Sequence, residues 1–466
     1  MDDAERWACR PPQHEFIEWH LSFFTEAYLP SQSAALSRRL RELGWSESRS
    51  LASVPSDPVL PLRTGSLGGG WTNLRTLLGS APTFDPFSHS RVEQLPDGVT
   101  SIRLWLWSVT PSLTVLIVGA EWDVYAGDAL DRIAKTDYET AAVPSGNGHQ
   151  MFTPAFRKRF EAGRRRRLMH QQLASWLAER VPGAFTDLGE PLPFLDVVTA
   201  ALARPFGEGA VPEKMWDYRD MLGLMRQGAT GTSPTLPGWT LALPDHDEPE
   251  VLTLGARTAD VFTHSLLGRF GGQESRWGLE YYLSGRVDGL LCGWTTLRLL
   301  QAFEKYLALT RDRAPASDES LSDFAERLAR DEIDVLRHGA DAATLCADIK
   351  SWPSDLGPAL LFRNLDCKIS YGHKQARESL RSIWEWQLDQ RVAPGARLEH
   401  DQRERLSTVA ELSGVAQSLR AQSHIRFLTI VLAILTVVTI GLAVVQLMSD
   451  HNTRVERVVV APSRGR

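Results

Sequence analysis

The sequence predicts an α+β soluble region, built of antiparallel hairpins plus helices, with a helix-rich C-terminal half and a single C-terminal transmembrane helix. Three observations predict it. Short apolar strand pairs separated by turn residues occur twice, over 102–118 and over 239–254. From Arg286 onward, apolar residues recur at three- and four-residue steps. Phe427–Met448 then runs for 22 residues without a charge.

Along the chain, Glu15–Phe24 alternates as a strand does, with Ile17, Trp19, Leu21 and Phe23 on one face and Glu18, His20 and Ser22 on the other. A helix follows over Ser33–Leu43, ended by Gly44 as a left-handed cap. Residues 46–98 are rich in Ser, Pro and Gly and read as loops. Pro96-Asp97-Gly98 makes a turn, and Ile102–Val109 and Leu113–Val118 form a hairpin through Thr110-Pro111-Ser112. Both sides of Ile102–Trp107 are mostly apolar, so this strand is expected to be covered on both faces. A helix is expected over Asp128–Tyr138.

Thr153-Pro154 is a helix start, with Thr as N-cap and Pro in the first turn. Phe152, Phe156 and Phe160 follow at four-residue steps, and a second helical stretch is expected from Gly163 to Glu179. The second hairpin pairs Trp239–Leu243 with Val251–Leu254, and Thr258–Leu267 is helical. The long stripe Val287, Leu290, Leu291, Trp294, Leu297, Leu300 and Leu307 marks the helix-rich half. Helices over Ser320–His338 and Lys374–Gln390 follow, and Val409, Leu412, Ala416 and Leu419 give a coiled-coil spacing before the apolar run. The expected division is 1–150 and 151–285 as α+β segments, 286–426 as a helical domain, 427–448 as the membrane helix and 449–466 as a short polar tail.

Composition narrows the function classes. The 466 residues are 43% hydrophobic and 23% charged, the balance of a folded chain with a sizeable core. A net charge of −6 makes nucleic acid an unlikely partner for the whole chain. The 44 Arg against 7 Lys are the imprint expected of a GC-rich bacterial genome. Fifteen Trp are spread along the chain and are expected in cores. The first residues carry no basic and apolar leader, so the soluble part is expected in the cytoplasm. Four widely spaced cysteines (Cys9, Cys292, Cys346, Cys367) suit reduced thiols rather than a zinc site.

No motif points to a cofactor, and no catalytic grouping can be assembled from spacing. His14 to His20 departs from a zinc-protease spacing, because Glu18 stands where the second histidine belongs. The glycines at 65–70 lack the lysine of a phosphate-binding loop. The acidic turn Asp245–Glu248 with Glu250 lacks the glycine and distal glutamate of a calcium loop. Cys292 is expected to be an inert buried thiol.

Two features remain as candidate contacts. Arg157, Lys158, Arg159, Arg164, Arg165, Arg166 and Arg167 put seven cations within eleven residues, suited to anionic headgroups, to a phosphate-bearing ligand or nucleic acid, or simply to a solvated helical junction. In the apolar run, Thr429, Ala433, Thr436 and Ala443 form a seam of small residues through which two membrane helices could associate. At about 1.5 Å per residue the run spans about 33 Å, enough for a hydrocarbon core of roughly 30 Å. The tail arginines Arg454, Arg457, Arg464 and Arg466 pull the orientation the other way from the cytoplasmic expectation.

A soluble α/β part leading through long helices into a C-terminal membrane helix resembles the layout of CorA-type magnesium channels. The resemblance is one of layout. Gln446-Leu447-Met448-Ser449-Asp450 stands where that family has Gly-Met-Asn, and no second apolar run follows. The reading favoured by the sequence is a single-pass, cytoplasm-facing binding protein without catalysis. An enzyme whose site leaves no linear trace, or an oligomeric ion-conducting assembly, are the alternatives.

Overall fold

The computed structural model describes residues 11, 13–46, 59, 70–80, 90–145, 148–202, 206, 218, 221–223, 229–243, 250–262, 276–311, 337–351, 367–371, 374–393, 404 and 425–443. The chain divides into two compact units, one of residues 1–312 with 337–400 and one of 313–336 with 401–466.

The first unit is organised by an eleven-stranded mixed sheet in the order β13-β12-β9-β10-β11-β8-β1-β5-β4-β2-β3. Next to the middle of that order lies β1 (Ile17–Tyr28), longer than the alternation predicts and buried on both faces. It lies antiparallel between β8 (Phe194–Ala200) and β5 (Leu113–Trp122). The predicted hairpin is present as β4 (Val99–Thr110) and β5. The second joins β10 (Leu236–Ala242) to β11 (Val251–Arg257), and β11 runs parallel to β8.

Strands β2 (Trp71–Leu78) and β3 (Ser90–Val92) occupy part of the stretch read as loops. Beside β10 stands β9 (Ala229–Ser233), and β12 (Lys368–Tyr371) with β13 (Lys374–Ser379) completes that edge. The helix expected from Lys374 therefore starts only at residue 380, because the six residues before it pair as a strand. The sheet draws strands from both α+β segments, and one apolar cluster runs from Ile17 to Val392. A separate small hairpin pairs β6 (Ala141–Ser145) with β7 (Gly148–Phe152).

A bulge in β1 reassigns its faces. Trp19 pairs Val198 and Leu21 pairs Val197, so His20 is the extra residue. Ile17 and Trp19 thereby share the face of Ser22, Phe24 and Glu26, while Leu21, Phe23 and Thr25 face the other way. Trp19 packs on Trp122 and His170, and Phe23 packs edge-on against Trp105.

Helices cover both faces. Helix α1 (Ser33–Glu42) ends at Gly44 with φ 66°, as the sequence predicts. After β5 come α2 (Val124–Gly127) and α3 (Ala129–Lys135). Helix α4 (Pro154–Arg180) starts on Thr153, whose Oγ1 accepts a hydrogen bond from the Phe156 amide at 3.3 Å. It passes through Gly163 unbroken and so merges the two stretches expected there. Then come α5 (Ala184–Leu188) and α6 (Thr258–Phe262).

Helix α7 (Arg276–Arg311) begins eleven residues before the predicted stripe, and Val287, Leu290, Leu291, Trp294, Leu297, Leu300 and Leu307 are all buried. It lies against β5 and β1, where Thr25 and Thr295 share a hydrogen bond of 2.6 Å. Helices α8 (337–351) and α9 (380–393) complete the unit. In the second unit the described helix is α10 (Ile425–Ala443). The coiled-coil spacing, most of the helix expected over 320–338 and the acidic residues 245–248 lie outside the described residues.

One close approach fixes α5 against β1. A Cβ at Gly183 would stand 2.5 Å from the Ala27 carbonyl oxygen and 2.6 Å from Glu26 Cγ. Gly183→Ala is expected to cost about 1–3 kcal/mol through forced backbone displacement, read as a lowered urea midpoint with unchanged slope.

Candidate functional site

Helix α4 carries the basic cluster, and its two sides do different things. Inward, the buried positions are Lys158, Ala162, Arg166, Met169, His170, Leu173, Trp176 and Leu177. Their steps of three and four residues make one helical face that continues the apolar pattern of 169–177 back through two cations. The seven cations therefore do not form one surface, as the sequence alone suggests: Lys158 and Arg166 point into the unit. Lys158 donates to the Ala134 carbonyl at the end of α3.

Arg166 enters a buried polar network on the sheet. Its Nε donates to Asp196 Oδ2 at 2.9 Å, its Nη1 to the Leu222 carbonyl at 3.0 Å and its Nη2 to Thr253 Oγ1 at 3.1 Å. The other carboxylate oxygen of Asp196 accepts from Ser22 Oγ at 2.6 Å and pairs with His170 Nε2 at 2.9 Å. Ser22 Oγ in turn accepts from the Trp122 indole at 3.2 Å. Burial pushes the Asp196 carboxyl up, but His170 and Arg166 together hold it below its ordinary value.

Ser22, Asp196 and His170 are the residue types of a hydrolytic triad in the wrong order. The aspartate stands between serine and histidine, so the imidazole is not placed to take the serine proton. With both carboxylate oxygens engaged, the group serves to bind α4, β1, β8 and β11 together.

The outward side of α4 is a different surface. Phe156, Phe160, Arg164 and Leu168 stand at successive four-residue steps, and the three apolar members are 42%, 52% and 46% exposed. Arg167 is exposed beside them, and Arg164 pairs with Glu161 at 2.8 Å. Arg157 donates to the Glu139 carbonyl at 3.1 Å and lies 5.3 Å from the Tyr138 ring centre. Arg159 and Arg165 are half-buried.

Elsewhere, two buried glutamates stand out. Glu26 lies at the start of α5, accepting from the Phe185 amide at 3.0 Å and from the amide and hydroxyl of Thr186 at 3.3 and 2.6 Å. Burial pushes its carboxyl up to about 7 against those hydrogen bonds. Glu280 of α7 sits over Gly119 of β5 and has no hydrogen-bond partner among the described residues. The Arg103 guanidinium is 3.9 Å away, and burial pushes the Glu280 carboxyl up to about 7 as well.

His20 Nε2 bonds Thr199 Oγ1 at 2.7 Å, and no group of three metal-ligating side chains occurs among the described residues. Cys292, Cys346 and Cys367 are buried and outside any disulfide, and burial pushes Cys292 well above its ordinary value.

In the second unit, the small-residue seam lies on α10. Thr429 and Thr436 each return a hydroxyl hydrogen bond to the carbonyl four residues back, at 2.7 and 2.8 Å, and Thr439 does the same at 2.7 Å. Their polar groups are thus satisfied within the helix. Ala433 and Ala443 are exposed on it. The chain matches no family model, and neither its sequence nor its fold finds a counterpart among curated proteins or solved structures.

Proposed function

We propose that the chain is a single-pass membrane-anchored binding protein, with α10 held in a bilayer and the mixed-sheet unit presenting a partner surface on the cytoplasmic side. The observation that carries it is the exposure of α10. Beyond Arg426 near its start, its 19 residues carry no charge and are apolar on every side, and none of its most apolar stretch is buried. A core helix of this composition would be covered by protein, whereas a helix apolar all round and uncovered belongs in lipid. Its described length is about 28 Å, close to a hydrocarbon core of roughly 30 Å. The internally bonded threonines suit the same surroundings, since hydrocarbon offers no other partner.

The test is fractionation of cells expressing the full chain beside a chain stopped after His424. The full chain is expected in the membrane pellet after alkaline carbonate washing, and the shortened chain in the supernatant. A full chain released by carbonate overturns the anchor. Protease added to sealed inside-out membrane vesicles should digest the mixed-sheet unit. Protection there would put that unit on the other side.

A further inference from the structure

Resting on the anchor reading, we propose that the outward face of α4 is a second membrane contact, one selective for anionic lipid. The argument begins with what the fold has already removed from the basic run. Lys158 and Arg166 are spent inside the unit, where each has a partner that fixes α4 in place. The face left to solvent is not a solvated charge run. Phe156, Phe160 and Leu168 make an exposed apolar row, interrupted by Arg164 and flanked by Arg157 and Arg167, with Glu161 the acidic residue among them.

Large apolar side chains at helical spacing on an exposed face, bordered by arginines, are what a helix lying in the plane of a membrane surface presents. The rings enter the acyl boundary while the guanidinium groups stay at headgroup level. The inner face supplies the rigidity such a contact needs. Arg166 joins the helix to three carbonyl, carboxylate and hydroxyl acceptors, and Lys158 ties its first turns to α3, so the row is displayed on a fixed element.

Charge selects the lipid. The excess of arginine over acid on this face favours phosphatidylserine- or phosphatidylglycerol-type surfaces over neutral ones, and bidentate guanidinium–phosphate pairing suits their headgroups. A bilayer is chosen over an acidic protein partner because the face combines cations with three exposed apolar side chains, and because α10 would hold the chain at a bilayer.

The experiment uses the full chain with Cys9→Ser, whose remaining cysteines are buried, and a nitrobenzoxadiazole label at Phe160→Cys. The protein is incorporated into nanodiscs of neutral lipid or of lipid with an anionic fraction, with doxyl groups at the fifth acyl carbon as quencher. In anionic discs the label emission is expected to rise and to lose at least about half its intensity to the quencher, as for insertion to about 5–10 Å. Neutral discs, 1 M salt (where the Debye length is roughly 3 Å) or Arg164→Glu/Arg167→Glu are expected to return it to the aqueous value.

An aqueous label in anionic discs that contain the protein overturns this contact and leaves the anchor standing. A label quenched equally in both lipids overturns the selectivity and with it the proposal. A chain that enters neither disc overturns the anchor reading, and this contact with it. A label at Gln171→Cys, exposed on the same face, gives the same readouts should Phe160→Cys fail to fold.

Discussion

Replacing Asp196 with alanine is expected to lower the unfolding free energy by about 3–5 kcal/mol, measured by urea unfolding of the full-length chain in mild detergent. The reason is what the substitution leaves behind. Arg166 is buried and its Nε bonds Asp196, so removing the carboxylate takes from an interior guanidinium the anionic acceptor it holds on β8. Ser22 and His170 lose their acceptor in the same step. Arg166→Met alone is expected to cost a comparable amount, since it takes the guanidinium from the buried carboxylate and leaves it to Ser22 and His170. The double variant Arg166→Met/Asp196→Leu is expected to be more stable than either, because well-packed apolar side chains can replace a buried ion pair at little net cost. Strict additivity of the two single effects would show that the pair does not act as a unit.

That network marks the limit of what the linear pattern reveals. The spacing that placed Met169, Leu173, Trp176 and Leu177 on one face of α4, carried backward by threes and fours, lands on Arg166, Ala162 and Lys158. The signal separating buried from exposed cations was thus present, but a compact run of basic residues reads as a surface until that face is followed through it. Gly163 reads as a break for a similar reason. A glycine weakens a helix by only about 1 kcal/mol, which packing of the residues around it outweighs here. By contrast α1, the Thr153-Pro154 start and the two hairpins follow from local chemistry that tertiary contacts reinforce.

The sheet order was illegible because alternation describes one strand and says nothing of its neighbours. Residues 17–28 show a polar side, and only the pairing of β1 with β8 and the bulge at His20 turn that side into a buried network. Strand β2 was hidden because Trp71–Leu78 is half-exposed and sits among glycines and prolines. The elements that cover Glu280 and, apart from the Ala27 amide, those that bond Glu26 are far away in sequence, so neither glutamate announces its burial.

Those two glutamates give the unit a pH dependence opposite to that of an ordinary salt-bridged protein. Each has its folded-state pKa raised from 4.5 to about 7, with burial the largest cause in both. An acid that holds its proton more tightly when folded contributes stability that is fully present below about pH 4.5 and lost as pH rises through about 7. At 1.36 kcal/mol per unit, a shift of this size is worth about 3 kcal/mol for Glu280. Asp196 works in the other direction, but its carboxyl is held below 3.8, so its contribution is lost only in stronger acid, outside this window. Unfolding measured at pH 5 and at pH 7.5 is therefore expected to show the chain more stable at pH 5.

Glu280→Gln isolates one of the two. Glu280 faces Arg103, which favours the charged form, and Glu121, which disfavours it, and among the described residues neither oxygen has a hydrogen bond to offset burial. A neutral amide of the same shape removes the ionisation without opening a cavity. The variant is expected to gain stability at pH 7.5, change little at pH 5, and so lose about half of the slope between them, with the remainder belonging to Glu26. An unchanged slope would mean that Glu280 is already neutral-favoured to the same degree in the unfolded chain, or that water reaches it through the contact between α7 and β5.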